Sequence, residues 1–170
     1  LYSSNNHADL FIHHNTFNPV NANTICFEKS FGTAEIYENN IYGGKYRVLS
    51  TPRHYAYLKI GDGCDHKCTF CKIPSLRGPA YFKSKRSILQ EAEMLATRGV
   101  KEIILIAQDI TGYSHGTSDL PDLLSSLENI KKIEWIRLLY LYPENINAPL
   151  IKTIKNSKKI VNYIDMPIQH

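Results

Sequence analysis

Three of the chain's four cysteines lie within one short stretch, at Cys64, Cys68 and Cys71. This C-x3-C-x2-C spacing is short enough for one turn of backbone to aim three sulfur atoms at a common point. Thiolate sulfur is a ligand both for zinc and for iron-sulfur clusters. Three ligands leave one position of a four-coordinate site open, and an iron atom with an open position can bind a substrate or a cofactor. The spacing therefore favours a catalytic metal centre.

Two other interpretations of the same cysteines stay open at this point. In the first, His66 or Cys26 is the fourth ligand of a structural zinc knuckle. In the second, Cys68 and Cys71 form a dithiol redox pair. The elements around the cysteines favour the catalytic centre, because the loop follows a first strand and precedes repeated strand and helix patterns.

Four apolar runs predict the strands that position this loop and the residues beyond it. The first, YAYLKIG at residues 55–61, comes directly before the cysteines. The others are VKEIILIAQD at residues 100–109, EWIRLLYLYP at residues 134–143 and IVNYIDMPIQH at residues 160–170. Near-continuous apolar runs of this kind are typical of parallel strands that are buried on both faces.

A helix is predicted after each of the first three strands. Ser84 or Ser87 can cap the first helix, and Gly99 supplies the left-handed residue that ends it. The second helix has a leucine-rich face and Pro121 in its first turn, where a missing N–H costs nothing. The third helix begins at about Asn147.

This alternation predicts an α/β fold, because connections long enough to hold a helix join parallel strands by right-handed crossovers. About four strands are visible, which fits an open sheet or part of a barrel. In such folds the catalytic groups gather at the carboxyl ends of the strands. Here those ends carry the cysteine loop, Gln108 with Asp109, Tyr142 with Pro143, and residues 165–170.

Composition narrows the class of protein further. At 170 residues and 43% hydrophobic, the chain can bury one core. Its net charge of +4 is far short of a dedicated nucleic-acid binder, so direct nucleic-acid binding is not expected. No apolar stretch is long enough for a membrane span and no signal peptide opens the chain, so we expect a cytoplasmic protein without a membrane partner.

With Phe70 before the third cysteine, the C-x3-C-x-aromatic-C loop after the first strand resembles the radical S-adenosylmethionine (radical SAM) superfamily. The fold of that superfamily is a full or partial (βα) barrel, so the resemblance implies a partial barrel that is truncated here after about four strands. Segments over residues 51–170, including GVKEIILIAQDITGY and YIDMPIQH, look like the methylthiotransferases that modify an aspartate of small-subunit ribosomal protein twelve. Relatives that act on tRNA adenosine usually have asparagine at the position of Asp109, and they are the alternative reading.

By that resemblance, Cys64, Cys68 and Cys71 bind a 4Fe-4S cluster whose open iron chelates S-adenosylmethionine. Phe70 then lies near the adenine of the cofactor, and Gln108 and Asp109 lie near its methionine end. An electron from the cluster cleaves the cofactor to a 5′-deoxyadenosyl radical, which abstracts hydrogen from the substrate. A flavodoxin or ferredoxin is the implied electron donor, and no side chain is assigned as acid or base.

The resemblance also sets the expected domains. Residues 51–170 are the first part of the radical SAM core, and residues 1–50 are a linker or a remnant of an amino-terminal domain. In the family that domain carries a second 4Fe-4S cluster on three further cysteines, whereas residues 1–50 offer only Cys26. The second cluster is therefore expected outside this chain, and the activity of this piece is expected to be incomplete. A non-catalytic zinc-binding or cluster-binding module is the alternative from another class.

Five further residues are candidates near the site. Arg77 is expected to bind a carboxylate through both oxygens or to pin the loop to nearby carbonyl groups. Tyr140, Tyr142 and the pair Gln169 and His170 are candidates for the substrate side of the rim, although aromatic residues in a barrel wall usually only pack.

Overall fold

The computed structural model describes residues 51–166, Leu49 and the backbone of four short strands between residues 10 and 41. The chain divides into two compact units, residues 1–50 and 51–170. In the first unit, β1 (Leu10–His13) pairs in parallel with β3 (Ala34–Tyr37), and β2 (Thr16–Phe17) pairs in parallel with β4 (Asn40–Ile41). Cys26, Gln169 and His170 lie outside the described residues.

The second unit alternates strands and helices. Its elements, in chain order, are β5 (Tyr55–Lys59), β6 (Gly61–Asp62), α1 (Ile73–Arg77), β7 (Tyr81–Phe82), α2 (Lys85–Thr97), β8 (Glu102–Ile106), β9 (Ser114–His115), β10 (Ser118–Asp119), α3 (Leu120–Glu128), β11 (Trp135–Leu138), a 3-10 turn (Pro143–Asn145) and α4 (Ala148–Asn156). None of the helices among the described residues is long and apolar enough to cross a membrane.

A three-stranded parallel sheet in the order β11-β8-β5 forms the centre of this unit. Tyr55 and Trp135 both pair with Glu102, so the three strands start level with one another. The central strand β8 is the most buried, with Ile103 and Leu105 fully inaccessible. The predicted α/β class with parallel strands is confirmed, and the sheet is open in the described part of the chain.

The three predicted helices are confirmed, and each begins at a residue whose side chain caps it. Ser84 Oγ accepts the N–H of Ser87 at the start of α2, and Gly99 ends this helix at φ +94°. Asp119 caps α3 and Asn147 caps α4 in the same way. Each cap satisfies a backbone N–H that would otherwise have no acceptor.

The prediction of a full fourth strand is wrong for the described residues. Only Ile160 forms a parallel bridge, to Ile136, before the chain leaves the sheet. Tyr163 and Ile164 beyond it are nearly half exposed, so little apolar surface is buried there to extend the pairing. β11 is also shorter than predicted, because Tyr140 adopts a positive φ of 61°, which an extended strand does not accept.

Candidate metal centre

The cysteine loop is closed at its neck by the antiparallel pair β6 and β7. Inside this neck the N–H of Cys64 donates to the carbonyl of Gly78 over 3.2 Å, and the N–H of Ala80 donates to Asp65 Oδ1 over 3.0 Å. Gly63 has a φ of +72°, and a Cβ at this position would lie 2.1 Å from the carbonyl oxygen of Pro79. Both the backbone angle and the close approach require glycine here.

Asp62, the second residue of β6, holds this neck in place and is only 4% exposed. Its carboxylate accepts from Lys59 Nζ at 2.7 Å, from the N–H of Gly63 at 2.9 Å and from Arg77 Nη1 at 3.3 Å. The structure therefore assigns Arg77 to a carboxylate of this chain, with Nη1 near both oxygens. Sequence reasoning missed Asp62, although its place between two glycines, just before the cysteines, was visible.

The environment of Asp62 predicts acid sensitivity. Burial alone would raise the pKa of this carboxyl, but the hydrogen bonds from Lys59 and Gly63 and the charges of Lys59 and Arg77 outweigh it and lower the pKa below 3.8. A carboxyl with a lowered pKa in the folded state stabilises the fold above its unfolded pKa, and this contribution is lost as pH falls through the folded value. We therefore expect Asp62→Asn to reduce the loss of unfolding free energy as pH falls below about 4.

Urea unfolding followed by circular dichroism between pH 6 and pH 3 measures this effect. Glu93→Gln, at an exposed position of α2, is the control for the loss of one carboxyl group. Equal pH slopes for the Asp62→Asn variant and the unmodified chain would contradict the role of this anchor.

The three cysteines line one cleft of about 400 Å³ on the loop. All three are free and partly exposed. Burial is the main cause that raises the pKa of the Cys64 thiol. Negative charge on the nearby Cys71, Asp109 and Cys68 raises this pKa further, because a second negative charge close to them is unfavourable. Cys71 Sγ also accepts the N–H of Ile73 over 3.4 Å.

The chemistry of the donor set fits a 4Fe-4S cluster. Such clusters are held by cysteine thiolates, with each cysteine bound to a different iron. Cys64, Cys68 and Cys71 line one cleft and are all free, so they can supply three such ligands. Within residues 51–166, no three His, Cys, Asp or Glu side chains are arranged to hold a single metal ion.

Asp109 connects the cysteine loop to the carboxyl end of β8. Its Oδ2 lies 2.8 Å from His66 Nε2 and accepts from Asn145 Nδ2 over 3.2 Å. Its Oδ1 accepts from both the N–H and the hydroxyl of Thr111. The residue is 9% exposed, so these partners replace water around the carboxylate.

His66 completes this connection by stacking on Tyr142, with ring centroids 3.8 Å apart and an angle of 23° between the planes. The ring is therefore held between the end of β8 and the segment that follows β11. Sequence reasoning considered His66 only as a zinc ligand and missed this contact. His66 and Asp109 lie 43 residues apart in sequence, so no local pattern could have revealed their contact.

The remaining candidate residues also lie at this edge of the sheet. Gln108 Oε1 is buried and has no hydrogen-bond partner among the described residues. Phe70 is 61% exposed on the loop, next to the third cysteine. Tyr140 donates its N–H to Asp165 Oδ2 over 3.0 Å, and its carbonyl accepts the N–H of Ile110. The structure thus brings the ends of all three strands together at one edge.

Replacing Asp109 by alanine should loosen the loop, because His66, Thr111 and Asn145 would lose their shared acceptor. His66 and Thr111 are partly exposed and Asn145 is exposed, so each lost hydrogen bond should cost no more than the typical net contribution of about 0.5–1.5 kcal/mol. We therefore expect a total loss of about 1–3 kcal/mol in unfolding free energy, and faster amide exchange in residues 63–80. Asp122→Ala is the matched control, since its ion pair with Lys85 is largely exposed and should contribute less than about 1 kcal/mol. Unchanged exchange in residues 63–80 would rule out the connection through His66.

Comparison with known proteins gives one family match and many similar proteins. The model of the Radical SAM superfamily matches residues 58–170. The ribosomal protein uS12 methylthiotransferase RimO of Acetivibrio thermocellus is 52% identical over 132 residues, which are 76% of this chain and 29% of that protein. The protein of the same name from Clostridium botulinum is 45% identical over 146 residues, which are 84% of this chain and 32% of that protein.

The chain thus spans about a third of the length of the curated relatives it matches. The family match covers the cysteine loop, the parallel sheet and the edge where Gln108 and Asp109 lie. The family expected from the cysteine spacing is confirmed, and the chain belongs to the radical SAM superfamily.

Proposed function

We propose that this chain forms the radical SAM core of a methylthiotransferase that modifies an aspartate of ribosomal protein uS12. The observation that carries the proposal is the cleft lined by Cys64, Cys68 and Cys71, which lies at the same edge as the polar ends of β8 and β11. Sequence identity of about 50% to proteins named for this activity supports the choice of reaction. Asp109, where the tRNA-modifying branch usually has asparagine, supports the choice of substrate.

The three cysteines are the proposed ligands of a 4Fe-4S cluster. The radical SAM family uses such a cluster together with S-adenosylmethionine. When bound, the cluster supplies the electron that cleaves this cofactor. The protein's contribution is to hold the three sulfur atoms at one cleft, through the neck at Gly63 and the anchor at Asp62.

Two side chains are the proposed contacts for S-adenosylmethionine. The amide oxygen of Gln108 is a buried acceptor with no partner within residues 51–166, and it suits the amino group of the cofactor. Phe70 offers an exposed ring for the adenine. Asp109 also belongs to the proposed cofactor site, but both of its oxygens already accept hydrogen bonds, so its role is to position the loop through His66.

The three strands are the proposed first strands of a partial (βα) barrel, since they are parallel, adjacent in chain order and joined by α2 and α3. The second 4Fe-4S cluster and much of the substrate-binding surface would come from parts of the relatives that this chain does not span. We place the reaction in the cytoplasm, where ribosomes are found, with a flavodoxin or ferredoxin as electron donor.

Mass spectrometry of uS12 and of bulk tRNA tests this function. Cells without the gene should lose a methylthio group from the uS12 aspartate and keep every tRNA mark. Complementation with the gene should restore the mark, whereas a Cys68→Ala version should not. Loss of a tRNA mark with an unchanged uS12 would favour the tRNA-modifying alternative and overturn the proposal.

A further inference from the structure

The edge of the sheet opposite the cysteine cleft collects basic residues. Each of the three strands β5, β8 and β11, and the bridge at Ile160, is preceded by a short basic segment. These segments, here called the basic edge, contain Arg53 and His54, Arg98 and Lys101, Lys131 and Lys132, and Lys158 and Lys159. Because the strands start level, the segments form one continuous rim rather than separate patches.

Contacts between neighbouring segments hold this rim together. The N–H groups of Lys101 and Glu102 donate to the carbonyl of His54 over 2.8 and 2.9 Å. The N–H of Trp135 donates to the carbonyl of Lys101, and Lys159 Nζ donates to the carbonyl of Ile130 over 2.7 Å. These hydrogen bonds tie the turns that carry the basic residues to the ends of the strands.

The positive charge of the basic edge is only partly neutralised. Glu134 pairs with Lys101 at 2.7 Å, and Glu128 accepts the backbone N–H of Lys158 over 2.8 Å, whereas Glu102 pairs with Arg137 at 2.6 Å. Lys131, Lys132 and Lys158 are exposed, and none of them is in an ion pair with another described residue. A positive field of this kind attracts a polyanion.

We propose that the basic edge binds the phosphate backbone of RNA. Adjacent strands are about 4.8 Å apart, so the segments repeat at a distance of the same order as the charges along a nucleic-acid strand. Trp135, the chain's one tryptophan, opens β11 on this rim and is 55% exposed. An aromatic ring beside lysines adds base stacking to phosphate binding, which favours single-stranded RNA over an acidic protein surface.

This surface is separate from the cysteine cleft, which lies at the opposite ends of the same strands. RNA binding and cofactor binding can therefore fail independently. The net charge of +4 gave no reason to expect a nucleic-acid partner. The fold gives a reason to expect such a partner, because it places basic segments that are far apart in sequence along one rim.

Fluorescence anisotropy with a labelled 20-nucleotide single-stranded RNA tests the proposal at several salt concentrations. For single strands, the slope of log K against log salt changes by about 0.7 for each phosphate contact. Lys131→Glu/Lys132→Glu should therefore flatten the slope by about 1.4. The matched control is Lys85→Glu/Arg86→Glu, which makes the same charge change at the start of α2 and should leave the slope close to that of the unmodified chain.

Tryptophan fluorescence distinguishes RNA from other polyanions. RNA should quench Trp135, whereas heparin, which has no bases to stack, should bind without the same quenching. Equal weakening by the two double variants would overturn the proposal, since only net charge would then matter. Absence of Trp135 quenching by RNA at saturation would overturn it as well. Circular dichroism confirms that each variant is folded before it is scored.

Discussion

Cys68→Ala should abolish both iron incorporation at the loop and release of 5′-deoxyadenosine from S-adenosylmethionine. Cys68 is the central sulfur of the motif, and its carbonyl accepts the N–H of Cys71 in the turn that carries the third sulfur. With two sulfur ligands left, two irons of a cubane would lack a protein ligand. After anaerobic reconstitution, we expect the variant to show only background absorbance at about 400 nm, where iron-sulfur clusters absorb.

The variant should still fold, so the loss can be assigned to chemistry. Cys68 is partly exposed and contributes little to the core, and substitutions at such positions usually change stability by about 0.5 kcal/mol or less. Cys26→Ala is the control, since this cysteine lies outside the motif and should leave iron content unchanged. Deoxyadenosine release at the original rate from the Cys68→Ala variant would contradict the assignment of the site.

Gly63→Ala should have the largest effect on the fold of the loop. The left-handed φ of +72° costs a residue with a Cβ about 1–2 kcal/mol, and forcing an atom into a filled space costs about 1–3 kcal/mol more. The added atom would meet the carbonyl oxygen of Pro79 at 2.1 Å, and this backbone atom cannot turn aside as a side chain can. The expected loss is a large share of the 5–15 kcal/mol that typically stabilises a domain.

Gly116→Ala separates the two causes. Gly116 also has a positive φ, of 62°, but a Cβ there would meet nothing within 4 Å. Its cost should therefore be the backbone term alone, about 1–2 kcal/mol. Urea unfolding of both variants, with iron content measured after reconstitution, gives the comparison. Equal midpoints for the two variants would show that the neck at Pro79 does not need the close approach.

The helices of the core could be predicted from sequence because their signals are local. Ser84, Pro121, Asn147 and Gly99 are each read within one turn of the residues they cap or end. The end of β11 could not be predicted from sequence. It depends on the left-handed conformation of Tyr140, which long-range contacts hold in place. Its N–H reaches Asp165, 25 residues further along the chain.

In the candidate site as well, local features could be predicted from sequence and long-range contacts could not. The spacing of the cysteines located the loop, and the apolar run before it located the strand. The residues that hold the loop in place were missed, because Asp62 and Arg77 lie 15 residues apart in sequence, and His66 and Asp109 lie 43 residues apart. The basic edge was invisible for the same reason, since its charges are spread over residues 53–159.

Electron paramagnetic resonance of the anaerobically reconstituted, dithionite-reduced chain, recorded with and without S-adenosylmethionine, tests most directly whether Cys64, Cys68 and Cys71 hold a 4Fe-4S cluster that binds the cofactor. We expect the signal of one reduced 4Fe-4S cluster and a change in that signal on addition of S-adenosylmethionine. A spectrum without a cluster signal, or a cluster signal that does not respond to the cofactor, would contradict this expectation.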